Sequence, residues 1–537
     1  MPSEPIPIIV AGNLPPSDDS LSTLGSKAFN LAKLAALGFP IPPAFVLPTS
    51  WCGRWIAEGA PSLNAFRSLI APALSRLEGA SNLGFGDHSR PLLVSVRSGA
   101  PVSMPGMLNT VLNVGLTKDT LPGLVAMTGN PRLAWDCYGR LIESYALAVR
   151  GLEPAPFRDA VARMSAALGV KDRHEIDTLS LRALATQYLD IFKDLAGEPF
   201  PDDPAQQLLA AAHAVFRSWD SPRARTYRRI NALDGLPGTA ATVQRMVYGN
   251  AGPRSGAGVG FSRDPATGEK RLYLDFAFDA QGEDVVSGRY PVAAASDLAR
   301  LLPAVSQSLE RMSARLEQVF GDAQDFEFTV HEGELFLLQT REAKRTAWAR
   351  LRIAVDLARE GLIPKEEALR RLDGLDLSSL VRRRVAQASE PAIARGVPAG
   401  VGVVSGRIAF SVEAVRSERA RGGAVIFVRN DIATEDIDAI ASADGVLTAR
   451  GGRTSHAAVV ARELGTLAIV GCSAIKIAND GRSCEVNGRQ LPEGAWLTLD
   501  GESGQVFAGR VEVREERPES ELAQVAAWRS ELIPSVA

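Results

Sequence analysis

A stretch rich in alanine, proline and glycine divides this chain of 537 residues into two unequal parts. It runs from Ala386 to Gly402, "AQASEPAIARGVPAGVG", and its composition predicts an interdomain linker. Chains of this length usually fold into several domains whose boundaries lie in segments of such composition. We therefore expect a large region before the stretch and a smaller domain after it.

Helix and strand signals follow one another in blocks along the chain. Residues 20–110 mix the two, residues 120–235 are largely helical, and residues 241–290 return to strands and turns. The stretch "DFEFTVHEGELFLLQTR" alternates around the turn "HEGE", which predicts a β-hairpin. Residues 346–385 predict two helices. After the proline-rich stretch, residues 403–510 alternate short strands and helices, which is typical of a compact α/β domain.

Charge and cysteine content exclude several classes of protein. The 59 basic and 62 acidic residues are spread along the chain and leave a net charge of −3, so neither a nucleic acid nor a membrane surface is expected as partner. No run reaches the roughly 18 apolar residues of a membrane span, and no signal peptide is expected. The four cysteines form no C-x-x-C pair, which fits a reducing cytoplasm, and Cys472 and Cys484 are interpreted as packing residues.

One of only five histidines, His456, lies in "LTARGGRTSHAAVVARELGTLAIVG". A strand is expected before the glycine pair, and a helix capped by Thr454 or Ser455 after it, so His456 would lie in the first helical turn. Backbone N–H groups and the helix dipole favour negative charge there, and an imidazole at that place can attack phosphorus. A histidine at a helix start more often has only a structural role. The residues around His456 must therefore indicate whether it is structural or catalytic.

Those residues resemble a known signature. "GGRTSHAAVVARELG" resembles the phosphohistidine motif of the pyruvate phosphate dikinase and phosphoenolpyruvate synthase family. Further family motifs follow in the family's order: "GSKAFNLAKLAALGFPIPPAF", "SVRSGAPVSMPGMLNTVLNVGL", "YGNAGPRSGAGVGFSRDPATGEKRLYLDF", "AQGEDVVSG" and "AQDFEFTVHEGELFLLQTREAKR". Arg453 replaces the methionine usual in the dikinase and looks more like the synthase. The chain is identified as a member of this family.

The resemblance implies an α/β and α+β multidomain architecture. An ATP-grasp nucleotide-binding domain is expected at residues 1–345, with a helical insertion at about 120–235. A helical linker and hinge would span 346–402, and a swivelling α/β phosphohistidine domain 403–512. Residues 513–537 resemble the lead-in to the barrel that binds pyruvate or phosphoenolpyruvate in full-length dikinases. That barrel is therefore expected on another chain or absent.

The same resemblance assigns site residues, and their chemistry suits phosphoryl transfer. Cationic side chains neutralise charge on non-bridging phosphate oxygens, and alternating carboxylates on a strand share one face, where their hard oxygens suit Mg²⁺. The expected ATP-binding residues are Lys27, Arg97, Asp325, Glu327, Gln339 and Arg341. The expected Mg²⁺ ligands are Glu327, Gln339 and Asp325, and the expected catalytic residues are His456, Arg97 and Arg341.

The implied activity is that of a dikinase with ATP as a substrate and Mg²⁺ as cofactor. His456 would take the β,γ-pyrophosphoryl group of ATP and pass the γ-phosphate to inorganic phosphate, leaving AMP, pyrophosphate and a phosphohistidine. Expected partners are ATP, inorganic phosphate and a separate barrel protein that binds pyruvate or phosphoenolpyruvate, while a homodimer stays open. The alternatives are a synthase-like variant that uses water, a phosphotransferase acting on phenol or an antibiotic, and a catalytically silent ATP-binding regulatory protein.

Two further expectations concern regulation and movement. Thr454 lies where plant and bacterial dikinases are switched off by threonine phosphorylation, although it can equally be a cap or loop residue. The histidine must visit two sites, so we expect the domain at 403–512 to swing as a rigid body. Glycines within "AQASEPAIARGVPAGVG" would provide rotation, namely Gly396, Gly400 and Gly402, and Pro391 and Pro398 would limit collapse. The alternative is a linker packed firmly against the helices at 346–385.

Overall fold

The computed structural model describes most of the chain. The described residues are 6–10, 16–17, 20–102, 104, 107–170, 173–286, 295–387, 390–400, 402–432, 436–452, 458, 460–461, 464–478 and 480–532. Contacts divide the chain into unit 1, residues 1–255 with 329–340, and unit 2, residues 256–328 with 341–537. The division at Ser255 falls inside the expected domain 1–345, where one sheet ends and another begins. Within the described residues, every helix is too short or too polar to cross a membrane.

Unit 1 is built on an antiparallel sheet with the strand order β1-β2-β5-β3-β4. Its strands are β1 (Ile8–Ile9), β2 (Ala44–Leu47), β3 (Val94–Gly99), β4 (Thr110–Val114) and β5 (Ala240–Arg245). Its helices are α1 (Ser20–Ala36), α2 (Thr49–Glu58), α3 (Leu63–Ser81), α4 (Leu121–Thr128), α5 (Pro131–Arg150), α6 (Ala155–Leu168), α7 (Thr178–Ala196), α8 (Pro204–Ser218) and α9 (Pro222–Ile230), with a 3-10 turn at Arg173–Glu175.

Local capping signals define the helices between residues 121 and 230. In α5 the side chain of Asn130 accepts the Leu133 N–H, Pro131 occupies the first turn, and Gly151 ends the helix with φ 66°. Apolar side chains at helical spacing face a core shared with β3, β4 and α8. The expectation of a largely helical block at 120–235 is therefore confirmed.

Unit 2 begins with a sheet of strand order β7-β6-β8-β9. These strands are β6 (Gly256–Phe261), β7 (Tyr273–Phe278), β8 (Gln324–His331) and β9 (Glu334–Glu342), and the tips of β8 and β9 group with unit 1. The expected hairpin around "HEGE" is present, with Gly333 at φ 88° in its turn. The accompanying helices are α10 (Gly282–Val286), α11 (Ala295–Leu301), α12 (Pro303–Phe320), α13 (Ala347–Arg359) and α14 (Lys365–Arg371).

The C-terminal part of unit 2 contains a mixed sheet of order β11-β21-β20-β13-β14-β15-β16-β12, in which β13 to β16 run parallel. In β14 the buried Val425 and Phe427 face one core cluster and Ile426 and Val428 face another. Both faces of the sheet are covered at this strand, which fits its apolar run from Val425 to Val428. The strands are β10 (Arg382–Gln387), β11 (Ala394–Arg395), β12 (Val397–Pro398), β13 (Val403–Ala409), β14 (Val425–Arg429), β15 (Gly445–Thr448), β16 (Leu467–Val470), β17 (Ile475–Ile477), β18 (Ser483–Val486), β19 (Arg489–Pro492), β20 (Trp496–Asp500), β21 (Gln505–Ala508) and β22 (Glu512–Glu516). The helices are α15 (Val412–Ala420), α16 (Ile437–Ser442) and α17 (Glu519–Leu532).

The proline-rich stretch corrects one expectation. β11 pairs with β21 and β12 pairs with β16, so residues 394–398 belong to the sheet. A Cβ on Gly396 would lie 2.6 Å from Ile469 Cγ2, and one on Gly400 would lie 3.0 Å from the Ala468 nitrogen. In this structure these two glycines permit close packing, so the expectation that they provide hinge rotation is wrong.

Two other segments connect this mixed-sheet domain to the helices before and after it. β10 precedes the domain and β22 follows it, and the two strands pair antiparallel as an isolated ribbon. After β22, α17 returns to pack Val525 and Trp528 against a core that includes α13 and α14. Within the tail that resembles a lead-in to a barrel, residues Glu519–Leu532 therefore form a helix that packs on the helices at 346–385.

Candidate active site

Lys27 lies where α1 bends beside the end of β3. Gly25 has φ 72° and ψ 159° inside the helix, and a Cβ there would lie 1.9 Å from the Gly99 carbonyl oxygen. The next residue, Ser26, donates both its N–H and its hydroxyl to the Ala100 carbonyl, at 2.9 and 3.0 Å. Lys27 follows directly and is half-buried. A glycine at the bend is therefore what allows the lysine to approach this strand.

Arg97 is carried by β3, the strand whose end Lys27 adjoins. It lies opposite Thr110 of β4 and Thr242 of β5, so strands fix its backbone on both sides. The hydroxyl oxygen of Thr242 is buried and has no hydrogen-bond partner among the described residues. Beyond Arg97, the Gly99 N–H donates to the buried Thr239 hydroxyl at 3.0 Å. The structure thus brings Lys27 and Arg97 to one end of the unit 1 sheet, with an unexpected threonine hydroxyl beside the arginine.

The β8–β9 hairpin carries the remaining expected ATP-site residues. Phe326 is fully buried between Asp325 and Glu327, so the predicted alternation of carboxylates on one strand face is confirmed. Arg341 Nε donates to Asp325 Oδ2 at 2.8 Å, with side-chain exposures of 30% and 5%. Asp325 therefore orients the guanidinium group of Arg341 through this oxygen.

Gln339 is the buried polar residue of this strand with the clearest ligand-binding potential. It is 3% exposed, and its Oε1 atom has no hydrogen-bond partner within the part of the chain that the structure describes. Strand periodicity directs its side chain to the same face of β9 as Arg341. A buried amide oxygen without a partner costs free energy, so this oxygen suits a bound cation or donor group. The described His, Cys, Asp and Glu side chains include no cluster of three or more that could hold a metal.

A contact that the sequence did not predict links α1 to β9. Asn30 Nδ2 donates to the Thr340 carbonyl at 2.9 Å, and the Leu337 N–H donates to the Pro40 carbonyl at 2.8 Å. Asn30 lies three residues after Lys27, between the buried Ala28 and Leu31. In the sequence, Asn30 could be recognised only as a polar residue within an apolar helical pattern.

The two units each hold part of the expected set. Lys27, Arg97 and Gln339 belong to unit 1, and Asp325, Glu327 and Arg341 belong to unit 2. Within unit 1, Lys27 lies beside the end of β3, just after Arg97. Within unit 2, Arg341 donates a hydrogen bond to Asp325.

His456 and its neighbours 453–457, which include Arg453 and Thr454, lie outside the described residues. The elements around them are present as predicted. β15 ends at Thr448, the helical residues Ala458 and Ala461 are fully buried, and Gly465 has φ 72° where the helix was expected to stop. A Cβ on Gly471 would lie 2.4 Å from the Gly451 carbonyl oxygen, so the loops after β15 and β16 approach closely.

The cysteines match the packing interpretation. Cys472 and Cys484 are buried in one apolar cluster of the mixed-sheet domain. Burial raises the pKa of each thiol to about 11, so neither is a reactive thiolate at neutral pH.

Models of known protein families match the N-terminal part of the chain and the mixed-sheet domain. The family model "pyruvate phosphate dikinase, AMP/ATP-binding domain" matches residues 64–293, and "PEP-utilising enzyme, mobile domain" matches residues 422–504. The pyruvate, phosphate dikinase of Clostridium symbiosum is 40% identical over 509 residues, which are 94% of this chain and 58% of that protein. The pyruvate, phosphate dikinase of Rhizobium meliloti (strain 1021) is 39% identical over 531 residues, which are 96% of this chain and 59% of that protein. The chain thus spans less than two thirds of the length of these relatives.

Proposed function

The chain belongs to the pyruvate phosphate dikinase family, and on that premise we propose that it uses ATP to phosphorylate the imidazole of its own His456. The domain matched as AMP/ATP-binding supplies the nucleotide site, and residues 403–512, here called the histidine domain, supply the acceptor. The observation that most supports this proposal is the hairpin that carries the Arg341–Asp325 pair and the buried Gln339 oxygen, which has no hydrogen-bond partner among the described residues.

The first step is pyrophosphoryl transfer. The unprotonated nitrogen of His456 attacks the β-phosphorus of ATP, the bond to the oxygen that bridges to the α-phosphate breaks, and AMP leaves with that electron pair. In the second step an oxygen of inorganic phosphate attacks the γ-phosphorus. The bond to the β,γ-bridging oxygen breaks, pyrophosphate leaves, and one phosphoryl group stays on His456.

Catalysis in such a reaction is mainly positioning and charge neutralisation. Lys27, Arg97 and Arg341 would balance charge on the non-bridging phosphate oxygens, and Arg341 is oriented for this by Asp325. The buried hydroxyl of Thr242 beside Arg97 offers a neutral contact to the same groups.

A divalent cation fits the residues present. Gln339 Oε1 offers a buried hard oxygen, Glu327 and Asp325 would add carboxylate oxygens, and Mg²⁺ prefers such ligands. When bound, Mg²⁺ would neutralise charge on the bridging and non-bridging phosphate oxygens. Asp325 already accepts from Arg341 through Oδ2, so Glu327 and Gln339 are the stronger candidates as ligands.

The final acceptor belongs to the same proposal. Pyruvate or phosphoenolpyruvate would exchange the phosphoryl group with His456 on a barrel carried by a separate polypeptide. The histidine domain would move between the two sites.

Product analysis tests this function. Incubation with ATP, Mg²⁺ and inorganic phosphate is expected to yield AMP and pyrophosphate with the wild type and neither with His456→Ala. If phosphate can be omitted and free phosphate is released instead of pyrophosphate, the synthase-like variant holds. Formation of ADP, or equal AMP formation by His456→Ala, would contradict the proposal.

A further inference from the structure

Helix α1 carries Lys27 and is bonded to two backbone segments distant in sequence. Two residues near the lysine make these bonds: Ser26 donates to the Ala100 carbonyl, and Asn30 donates to the Thr340 carbonyl at 2.9 Å. Ala100 directly follows β3, the strand of Arg97, whereas Thr340 lies in β9. Within unit 1, the helix therefore contacts both the end of β3 and the part of β9 that contains Gln339.

A hydrogen bond to the Thr340 carbonyl acts on the backbone beside expected site residues. Thr340 lies between Gln339 and Arg341, so its peptide group sets the backbone from which both side chains project. β9 is the terminal strand in the order of its sheet, and no further strand covers its other side among the described residues. The bonds to Asn30 and Pro40 supply hydrogen bonding that a neighbouring strand would otherwise give.

We propose that Asn30 is a positioning residue for phosphoryl transfer, because its amide holds the Thr340 carbonyl and so fixes the neighbouring Gln339 relative to the helix of Lys27. This inference rests on the proposed function. A side-chain amide suits the task since it donates to a carbonyl without adding charge beside a polyanionic nucleotide. A group displaced by about 1 Å can cost a hundredfold in rate, so loss of this bond acts on the chemical step.

Asn30→Leu tests the inference because it keeps the side-chain size and removes the donor. The matched control is Asn231→Leu, which removes another side-chain amide bond to a backbone carbonyl, Asn231 Nδ2 to Tyr227 O at 2.9 Å, in the same unit. The measurements are single-turnover AMP formation at varied ATP and hydrogen–deuterium exchange of residues 334–342. Asn30→Leu should lower the maximal rate at least tenfold, change the half-saturating ATP concentration less than about threefold, and speed exchange in β9.

The control should match the wild type in rate and in β9 exchange. A maximal rate for Asn30→Leu within twofold of wild type, or a loss equal to that of the control, overturns the inference. If Asn30→Leu does not fold, Asn30→Asp decides by the same measurements. If the wild type itself forms no AMP, the proposed function fails, and unchanged exchange of β9 in Asn30→Leu then overturns the positioning role on its own.

Discussion

Asp136 of α5 shows how single buried residues hold unit 1 together. Its carboxylate accepts from Arg140 at 2.9 Å, Arg173 at 2.7 Å and Asn250 at 2.8 Å. Burial works to raise its pKa, but the two guanidinium groups outweigh burial and hold the pKa well below its usual range. Asp136→Asn should therefore lower the free energy of unfolding at neutral pH by about 3 kcal/mol or more, measured by urea denaturation.

The pH dependence of that effect has a definite sign. Because the folded-state pKa is depressed, the stabilisation is present above the unfolded carboxyl pKa of about 3.9 and is lost as pH falls below it. The difference between wild type and Asp136→Asn should shrink below about pH 4. The exposed Asp159 of α6 is the control, since Asp159→Asn should change stability by less than about 0.5 kcal/mol. A difference independent of pH would contradict this account.

Thr454 gives a second residue-scale prediction, which follows from the proposed chemistry. A negative charge two residues before His456 would repel the incoming phosphoryl group. Thr454→Glu is expected to slow phosphorylation of His456 at least tenfold at unchanged ATP affinity. Thr454→Ser is the matched control and should keep the wild-type rate. Equal rates for the Glu variant and wild type would remove the physical basis for regulation at this position.

Local residue order predicts the strand alternation of Asp325 and Glu327, whereas Lys27 and Arg97 are assigned by the family resemblance and their roles stay predictions. Asn30 was not predictable, because its partner Thr340 lies 310 positions away and a hydrogen bond of that span leaves no local pattern. The Thr242 hydroxyl was missed for the same reason, since only strand pairing brings it opposite Arg97.

At the scale of elements, the bend in α1 is the feature on which the lysine depends. Gly25→Ala would place a Cβ 1.9 Å from the Gly99 carbonyl oxygen at φ 72°. We expect a loss of at least about 3 kcal/mol in unfolding free energy and loss of ATP binding. Gly53→Ala in α2 is the control: nothing lies within 4 Å of its Cβ, and it should stabilise by about 0.5–1 kcal/mol. Equal effects of the two changes would show that the bend is dispensable.

The elements also show where sequence reasoning fails. The hairpin β8–β9 and helices α13 and α14 follow periodicities that local sequence specifies, and they were predicted. The stretch at 394–398 was interpreted as a linker because proline and glycine are typical of linkers. The same residues also suit short outer strands, and only the packing of Gly396 against Ile469 distinguishes the two cases.

At the scale of the whole molecule, the ribbon β10–β22 connects the histidine domain to helix α14 before it and helix α17 after it. Glu516 accepts from Arg382 at 3.0 Å and pairs with Arg384 and Arg514. Glu516→Gln should loosen the ribbon, lower the effective concentration of His456 at the nucleotide, and slow AMP formation about threefold at unchanged ATP affinity.

Glu515→Gln is the matched control on the same strand. Glu515 makes one exposed ion pair with Arg383, and exposed pairs contribute little. Its rate should equal that of wild type. If both variants slow AMP formation equally, or neither does, the ribbon does not govern the approach of the histidine domain.

The central claim is that this chain alone transfers a phosphoryl group from ATP to His456. Intact-mass spectrometry at neutral pH, after incubation with ATP, Mg²⁺ and inorganic phosphate, measures this directly. The wild type should gain the mass of one phosphoryl group, lose it on brief acid treatment as a phosphohistidine does, and His456→Asn should gain nothing. A wild type of unchanged mass, or an equal mass gain in His456→Asn, would contradict the account.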